Sequence, residues 1–253
     1  AYIARDQFGI KPLFIYETGT TLAVSSSLRW LQRTYSLEPS ISLDHLNQLL
    51  QLGYSHDNLT IFPGVKKFSP NTVLKINLNS GHHSKKSIQC EFSLNDAMRL
   101  SRSQNITYLN LLNSVLQEQV RLQSGCSDRG IATFLSGGVD SALITSYLTS
   151  TTSLNARCDS YSMFVEGQDT DEKSRVHQFL SFTDKHNINL ISEIFSQHDI
   201  SAMSTYIPRL DYPVLDLSIF PFLKLCKAVG PSTRVVLSGD GADEIFIGYQ
   251  RVY

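Results

Sequence analysis

The sequence predicts an α/β doubly wound parallel sheet after about residue 105, preceded by a smaller α+β portion built of short strands and turns. Three observations predict this. The hydrophobic period changes near Ile106, strands and helices alternate from there on, and two glycine-rich loops each follow an apolar strand directly.

Within residues 1–78, Ile3 precedes the polar cluster Arg5-Asp6-Gln7. Leu13 to Tyr16 reads as a strand, Glu17 to Thr20 as a turn, and Thr21 to Val24 as the returning strand. Ser42-Leu43-Asp44 opens a short helix over Leu46, Leu49 and Leu50, and Val73 to Leu78 alternates before the turn at Asn79-Ser80-Gly81. Residues 79–104 are polar and read as a connector. Its His82-His83 pair has no carboxylate or third histidine close in sequence, so a solvated loop is expected rather than a metal site.

Residues 105–253 read as the second domain. Leu109, Leu112, Leu116 and Val120 recur at helical spacing. Strands follow at Ile131–Leu135, Ser160–Val165, Leu190–Phe195 and Arg234–Leu237. Between them lie helices at Ala142–Leu148, over Val176, Phe179 and Leu180, and from Ser218 to Val229. Such repeated units imply parallel pairing and helices on the sheet faces.

Composition narrows the function classes. With 253 residues the chain can bury one large core or two smaller ones, and a 42% hydrophobic fraction with 18% charged residues is that of a globular protein. A formal charge of -1 gives no general field for nucleic acid or an anionic membrane, so an anionic ligand has to be held by local geometry. The four cysteines, Cys90, Cys126, Cys158 and Cys226, form no CxxC pair; they read as buried small hydrophobes in a reducing compartment. No signal peptide or apolar span is legible, so a cytoplasmic location is expected, and the sequons at Asn58 and Asn105 read as chance.

The chemistry concentrates in Phe134-Leu135-Ser136-Gly137-Gly138-Val139-Asp140-Ser141-Ala142. Glycines let backbone N–H groups turn inward, and the following helix adds its unsatisfied N–H groups and positive dipole end. That combination suits a phosphate, with Ser136 and Ser141 as hydroxyl donors. Asp140 would repel a bare phosphate and so implies a bridging cation, Mg²⁺. The spacing is neither a Walker A loop nor GxGxxG. A tight strand–helix turn with a capping residue explains SGG alone as well, but not the whole of SGGVDS in this setting. The second loop, Leu237-Ser238-Gly239-Asp240-Gly241-Ala242-Asp243-Glu244, also follows an apolar strand. Ligands of doubly wound sheets sit at the carboxyl ends of strands, so Asp140 and Asp243 are expected to share one Mg²⁺.

SGGVDS resembles the pyrophosphate-binding loop of the N-type ATP pyrophosphatases, and LSGDGADEIF resembles the second signature of the glutamine-hydrolysing asparagine synthetases. Ala4 to Leu13 resembles the end of that family's glutaminase domain. Thr60 to Pro70 resembles its linker region, and Leu210 to Ser218 the segment before the second signature. The resemblance implies an adenine nucleotide α-hydrolase-like sheet preceded by the C-terminal part of an N-terminal-nucleophile-type glutaminase domain. It implies a carbon–nitrogen ligase using ATP, Mg²⁺, aspartate and glutamine, acting on small molecules, without nucleic acid or membrane and compatible with a homodimer. By motif, Ser136, Gly137, Gly138, Asp140 and Ser141 would hold pyrophosphate, and Asp140 and Asp243 would hold Mg²⁺. Phe134, Met163, Ser238 and Gly239 would contact adenosine, Asp240 would serve aspartyl adenylate formation, and Asp6 would bind the amino group of glutamine.

The sequence departs from the family pattern in places. It begins at Ala1 and ends at Tyr253 within structured-looking segments, so it reads as an internal fragment without the family's N-terminal cysteine or the basic segment beyond the second signature. Ile247 stands where the family has glycine, and Ser25-Ser26-Ser27 lacks a glutamate often found there. Three rival readings follow. One is an amidotransferase acting on a sugar acid or secondary-metabolite carboxylate. Another is a non-catalytic nucleotide-binding protein, which the intact carboxylates disfavour. The third, a tRNA-thiolating enzyme, is disfavoured by the charge and the cysteine spacing.

Overall fold

The computed structural model describes residues 1–40, 43–54, 58–88, 108–151, 157–167, 171–183, 187–211 and 214–249. The chain divides into two compact units, Ala1–Ser103 with Pro208–Leu217, and Gln104–Ile207 with Ser218–Tyr253.

The first unit holds two antiparallel three-stranded sheets. Strands β1 (Tyr2–Arg5), β5 (Thr72–Ile76) and β6 (His83–Ser87) form one, in that order; β3 (Leu22–Ser25), β2 (Phe14–Glu17) and β4 (Val65–Lys67) form the other. Helix α1 (Leu28–Thr34) buries Leu28 and Leu31 with Phe14, Phe62 and Val65, while Ile15, Phe68 and Leu74 form a second cluster. Helix α2 spans Leu43–Leu52, as the Ser42 opening predicted.

Helix α1 starts where the Ser27 hydroxyl accepts from the Trp30 N–H at 3.2 Å. Asp211 completes the start: its Oδ1 accepts from the Ser27 hydroxyl and from the Arg29 N–H, each at 3.1 Å. The segment around Asp211 therefore belongs with the first unit although it sits late in the sequence. Tyr212 and Pro213 of that segment lie outside the described residues.

Two readings of the sequence change here. His83 is not in a solvated loop but on edge strand β6, where its Nε2 lies 3.0 Å from Glu17 Oε1, and Lys85 approaches the other oxygen at 3.6 Å. The carboxylate arrives by tertiary pairing, which sequence proximity could not show. The lysines also suit an edge that must resist further pairing. The cysteines divide too. Cys158 is buried and its thiol is pushed up by desolvation, whereas Cys126 and Cys226 are exposed; Cys90 lies outside the described residues.

The second unit is a four-stranded parallel sheet in the order β10-β7-β8-β9. Its strands are β7 (Gly130–Phe134), β8 (Cys158–Val165), β9 (Ile188–Phe195) and β10 (Thr233–Leu237). Helices α3 (Tyr108–Ser124), α4 (Val139–Thr151) and α5 (Asp171–Phe182) pack on one face. Helix α7 (Ile219–Ala228) covers the other through Leu225 against Ala132 and Tyr161, and α6 (Gln197–Ser204) precedes it. Strand alternation produces this split: Ile131, Val235 and Leu237 face α3 and α4, while Ala132, Phe134 and Val236 face α7. Lys224 of α7 is salt-bridged to Asp199 of α6 at 2.8 Å.

The amphipathic reading of α3 holds only in part. Val120 is buried and Leu116 half-buried in the cluster with Tyr147 and Leu148, but Leu109 is exposed at 75%. The 3.6-residue stripe continues past the surface that this unit offers it.

Candidate functional site

Chain path places the site. From β7 the chain steps through α4 to β8 and through α5 to β9, all on one face. It then returns through α6 and α7 on the other face to β10, which pairs with the opposite edge of β7. Right-handed crossovers demand that change of face when direction reverses. The reversal opens a crevice between the carboxyl ends of β7 and β10, the usual ligand position in such sheets. Both glycine-rich loops emerge there.

The first loop is closed by its own hydroxyls. The Ser136 N–H donates to Ser141 Oγ at 3.2 Å, and the Gly138 N–H to Ser136 Oγ at 3.3 Å. Ser141 Oγ donates its single proton to the Gly138 carbonyl at 3.1 Å, so across the 3.0 Å contact between the two hydroxyls Ser136 is the donor. Ser141 is buried and fully engaged, which makes it a shaper of the loop; Ser136 is exposed and can redirect its proton to a ligand.

A ladder of buried hydroxyls lies beneath. Thr145 Oγ1 donates to the Ser141 carbonyl at 2.8 Å and sits 3.0 Å from Thr133 Oγ1, which is 2.8 Å from Ser160 Oγ. The Ser162 hydroxyl donates to the Leu135 carbonyl at 2.6 Å. Thr133, Thr145 and Ser160 have no exposed surface, and each has a partner, as buried hydroxyls must. Sequence reasoning passed over these residues, since small hydroxyls in a strand carry no local signal.

Gly137 has φ +84° and lies so close to α5 that a Cβ there would stand 2.8 Å from the Glu172 carbonyl oxygen and 3.0 Å from Arg175 Cβ. Gly239 brings the second loop in. A Cβ on it would stand 2.9 Å from both Asp140 Cβ and the Ser141 nitrogen. The two loops are thus in backbone contact at the start of α4.

Around them, Asp140 is half-buried in the first turn of α4, and Asp240 Oδ2 accepts from the Ser238 hydroxyl at 2.8 Å. Asp243 lies on the short helix α8 (Ala242–Phe246) and turns its carboxylate into the space that a side chain at Gly248 would fill. Glu244 accepts from the Tyr249 hydroxyl, which holds its carboxyl below the usual range and pushes the Tyr249 phenol up. Phe134 meets Phe222 of α7 edge-on at 5.6 Å between ring centroids, and Met163 packs in the same cluster. The structure therefore gathers Phe134, Ser136–Ser141, Met163, Ser238, Gly239 and Asp240 around one sheet edge, while Asp243 follows on α8 with its carboxylate turned toward Gly248.

Among the described residues no group of three or more His, Cys, Asp or Glu is arranged to hold a metal. Mg²⁺ is usually held by one or two carboxylates together with substrate phosphates and water, so the oxygen donors Asp140 and Asp243 fit it chemically.

Asp6 lies in the first unit. Its Oδ1 accepts from the N–H groups of Phe8 at 3.0 Å and Ile10 at 3.2 Å. Desolvation raises its pKa, but donation from Ile10, Phe8, Lys11 and Gly9 outweighs this and the net shift is downward.

The model of the asparagine synthase family matches residues 111–253, more than half of the chain and all of both loops. The chain belongs to the asparagine synthase family. A second family model, glutamine amidotransferase domain, matches residues 1–87. Among curated asparagine synthase relatives, asparagine synthetase [glutamine-hydrolyzing] 3 of Bacillus subtilis is 25% identical over 260 residues, covering 98% of this chain and 41% of that protein. Asparagine synthetase [glutamine-hydrolyzing] 1 of the same organism is 24% identical over 248 residues, covering 98% and 37%. The chain thus spans about two fifths of the length of these relatives. A glutamine-dependent NAD+ synthetase structure from Acinetobacter baumannii aligns at 15% identity with a TM-score of 0.40, covering 93% of this chain and 51% of that one. That likeness is too loose to bear on the site. No helix among the described residues is long and apolar enough to cross a membrane.

Proposed function

We propose that this chain carries the nucleotide site of a glutamine-hydrolysing asparagine synthase, which converts ATP, aspartate and glutamine into asparagine, AMP, pyrophosphate and glutamate. The observation that supports it is the contact of Gly239 with Asp140 and Ser141 at the switch point, which joins the family's two signature loops into one crevice. In the proposed reaction a side-chain carboxylate oxygen of aspartate attacks the α-phosphorus of ATP and pyrophosphate leaves. Ammonia from glutamine then attacks the acyl carbon of the aspartyl adenylate, and AMP leaves.

The residues have distinct tasks in this reading. The amides of Gly137 and Gly138 and the N-terminus of α4 hold the departing pyrophosphate, with Ser136 donating a hydroxyl and Ser141 keeping the loop's shape. Phe134, Met163, Ser238 and Gly239 bind the adenosine end, and Asp240 serves adenylate formation. Asp140 and Asp243 are the residues to hold Mg²⁺, which when bound would offset phosphate charge. Asp6 receives the α-amino group of glutamine, its carboxylate held in place and kept ionised by the surrounding backbone N–H groups.

Aspartate-dependent exchange of labelled pyrophosphate into ATP by the full-length protein tests the reading. Asp140→Asn is expected to lower exchange by roughly 10²–10³-fold, the scale seen when a transition-state electrostatic group is removed, with the melting temperature unchanged. Wild-type exchange in that variant would remove Asp140 from the site. Exchange driven by another carboxylic acid but not by aspartate would reassign the acceptor.

A further inference from the structure

Helix α7 packs on its sheet face through one stripe of residues. Phe222, Leu225 and Ala228 recur at three-residue spacing, with Val229 just past the helix end, so they share one side of the helix. Leu225 is buried against Ala132 and Tyr161, and Ala228 and Val229 pack in the same cluster. Phe222 belongs to this stripe by position and by contact, since its ring meets that of Phe134 at 5.6 Å between centroids and 75° between planes. Yet Phe222 is 43% exposed. A scattered surface phenylalanine needs no explanation, but one on the packed side of its helix does.

The course of the chain explains it. Helix α7 leads into β10, which lies parallel to β7, so the N-terminus of α7 sits at the carboxyl ends of the strands. Phe222 is the fourth residue of α7, and Phe134 is the last of β7. Helical side chains lean toward the N-terminus of their own helix. The Phe222 ring therefore overhangs the end of the sheet, where the crevice between β7 and β10 opens. Phe134 and Met163 belong to the cluster on this same face, and both are half-buried. The open surface at this end of the crevice is thus apolar and largely aromatic.

Resting on the nucleotide reading above, we propose that Phe222 is a further binding residue, whose ring forms with that of Phe134 a two-walled seat for the adenine base of ATP. Two rings set nearly at right angles let a flat aromatic base stack on one while meeting the other edge-on, both of them favoured arrangements. A purine suits such a seat because its faces are apolar, and stacking draws little on hydrogen bonds.

The test uses full-length protein with AMP, Mg²⁺-ATP and Mg²⁺-pyrophosphate as separate probes in calorimetric titrations. Phe222→Ala is expected to weaken AMP and ATP by roughly tenfold to a hundredfold, the range found when an aromatic platform under a base is removed. Phe222→Tyr keeps the ring and should bind both within about twofold of wild type, the added hydroxyl lying at an exposed position. Pyrophosphate affinity should stay at the wild-type value in both. Phe222→Leu keeps apolar bulk against Phe134 if the alanine variant folds poorly; it loses the flat face and should weaken AMP by roughly threefold to tenfold. Wild-type AMP affinity in Phe222→Ala or Phe222→Leu would overturn the proposal, a fall in melting temperature alone then marking Phe222 as a packing residue. Equal weakening of AMP and pyrophosphate would overturn it too, because that pattern means general damage to the crevice. If the wild-type protein itself binds neither AMP nor ATP, the nucleotide reading fails first and this proposal fails with it.

Discussion

Gly239→Ala probes the contact on which the composite site depends. A Cβ there would stand 2.9 Å from Asp140 Cβ, 2.9 Å from the Ser141 nitrogen and 3.1 Å from the Asp140 carbonyl carbon. Those atoms belong to the start of α4, which the Ser141 and Thr145 hydroxyl bonds hold in place, so the second loop must do the moving. Ordinary contact begins near 3.4 Å, which requires a retreat of about half an ångström. Overpacking of this kind typically costs about 1–3 kcal/mol, or about 2–4 °C of melting temperature per kcal/mol in a protein of this size. Since a misplacement of ~1 Å can cost ~10²-fold in rate, half of it should lower kcat/KM for pyrophosphate exchange by about tenfold. Val65→Ala is the control: it removes two buried methylene equivalents from the core of the first unit, about 1.6 kcal/mol, and should lower the melting temperature without that loss of exchange. Exchange and melting temperature both at wild-type values in Gly239→Ala would refute the close approach of the two loops.

Two further outcomes follow from local geometry. Asp199 is held at about 2, first by the Lys224 hydrogen bond and then by the Ser196 N–H, against an ordinary 3.8. A depressed carboxylate contributes stability that is present above its unfolded pKa and disappears as pH falls through the folded one. Acid unfolding followed by circular dichroism should therefore steepen between about pH 4 and 2, and Asp199→Asn should flatten that part of the curve. An identical acid profile in the variant would show that the ion pair has no such linkage. Ile247 caps α8 with φ +57°, a left-handed conformation that disfavours a β-branched side chain by about 1–2 kcal/mol, so Ile247→Gly should raise the melting temperature by a few degrees (about 2–4 °C per kcal/mol). A lower melting temperature would mean that side-chain packing outweighs backbone strain at this cap.

Much was legible in the linear sequence because it is locally encoded. SGGVDS between an apolar strand and a helix could be recognised from residue order alone, and the strands Ile131–Leu135 and Arg234–Leu237 lie within a residue or two of β7 and β10. The left-handed cap at Ile247 gives the family's glycine a backbone reason. Elements with little apolar contrast escaped notice: β6 is a run of histidine, serine and lysine, and α6 mixes polar and small residues.

By itself the sequence determined which backbone segments become strand, glycine turn and helix start, since hydrophobic period, glycine freedom and capping act over a handful of residues. It also supplied the carboxylates and hydroxyls that the proposed chemistry requires. Only the tertiary structure decided that β10 returns to the opposite edge of β7, that Gly239 lies on Asp140, and that Arg175 packs on Gly137. It alone brought Glu17 to His83 and Asp211 to the start of α1. The physical reason is range. Pairings between residues separated by 38, 66, 99 or 182 positions depend on how layers pack and how the crossover turns, and neither leaves a periodic trace in the intervening chain.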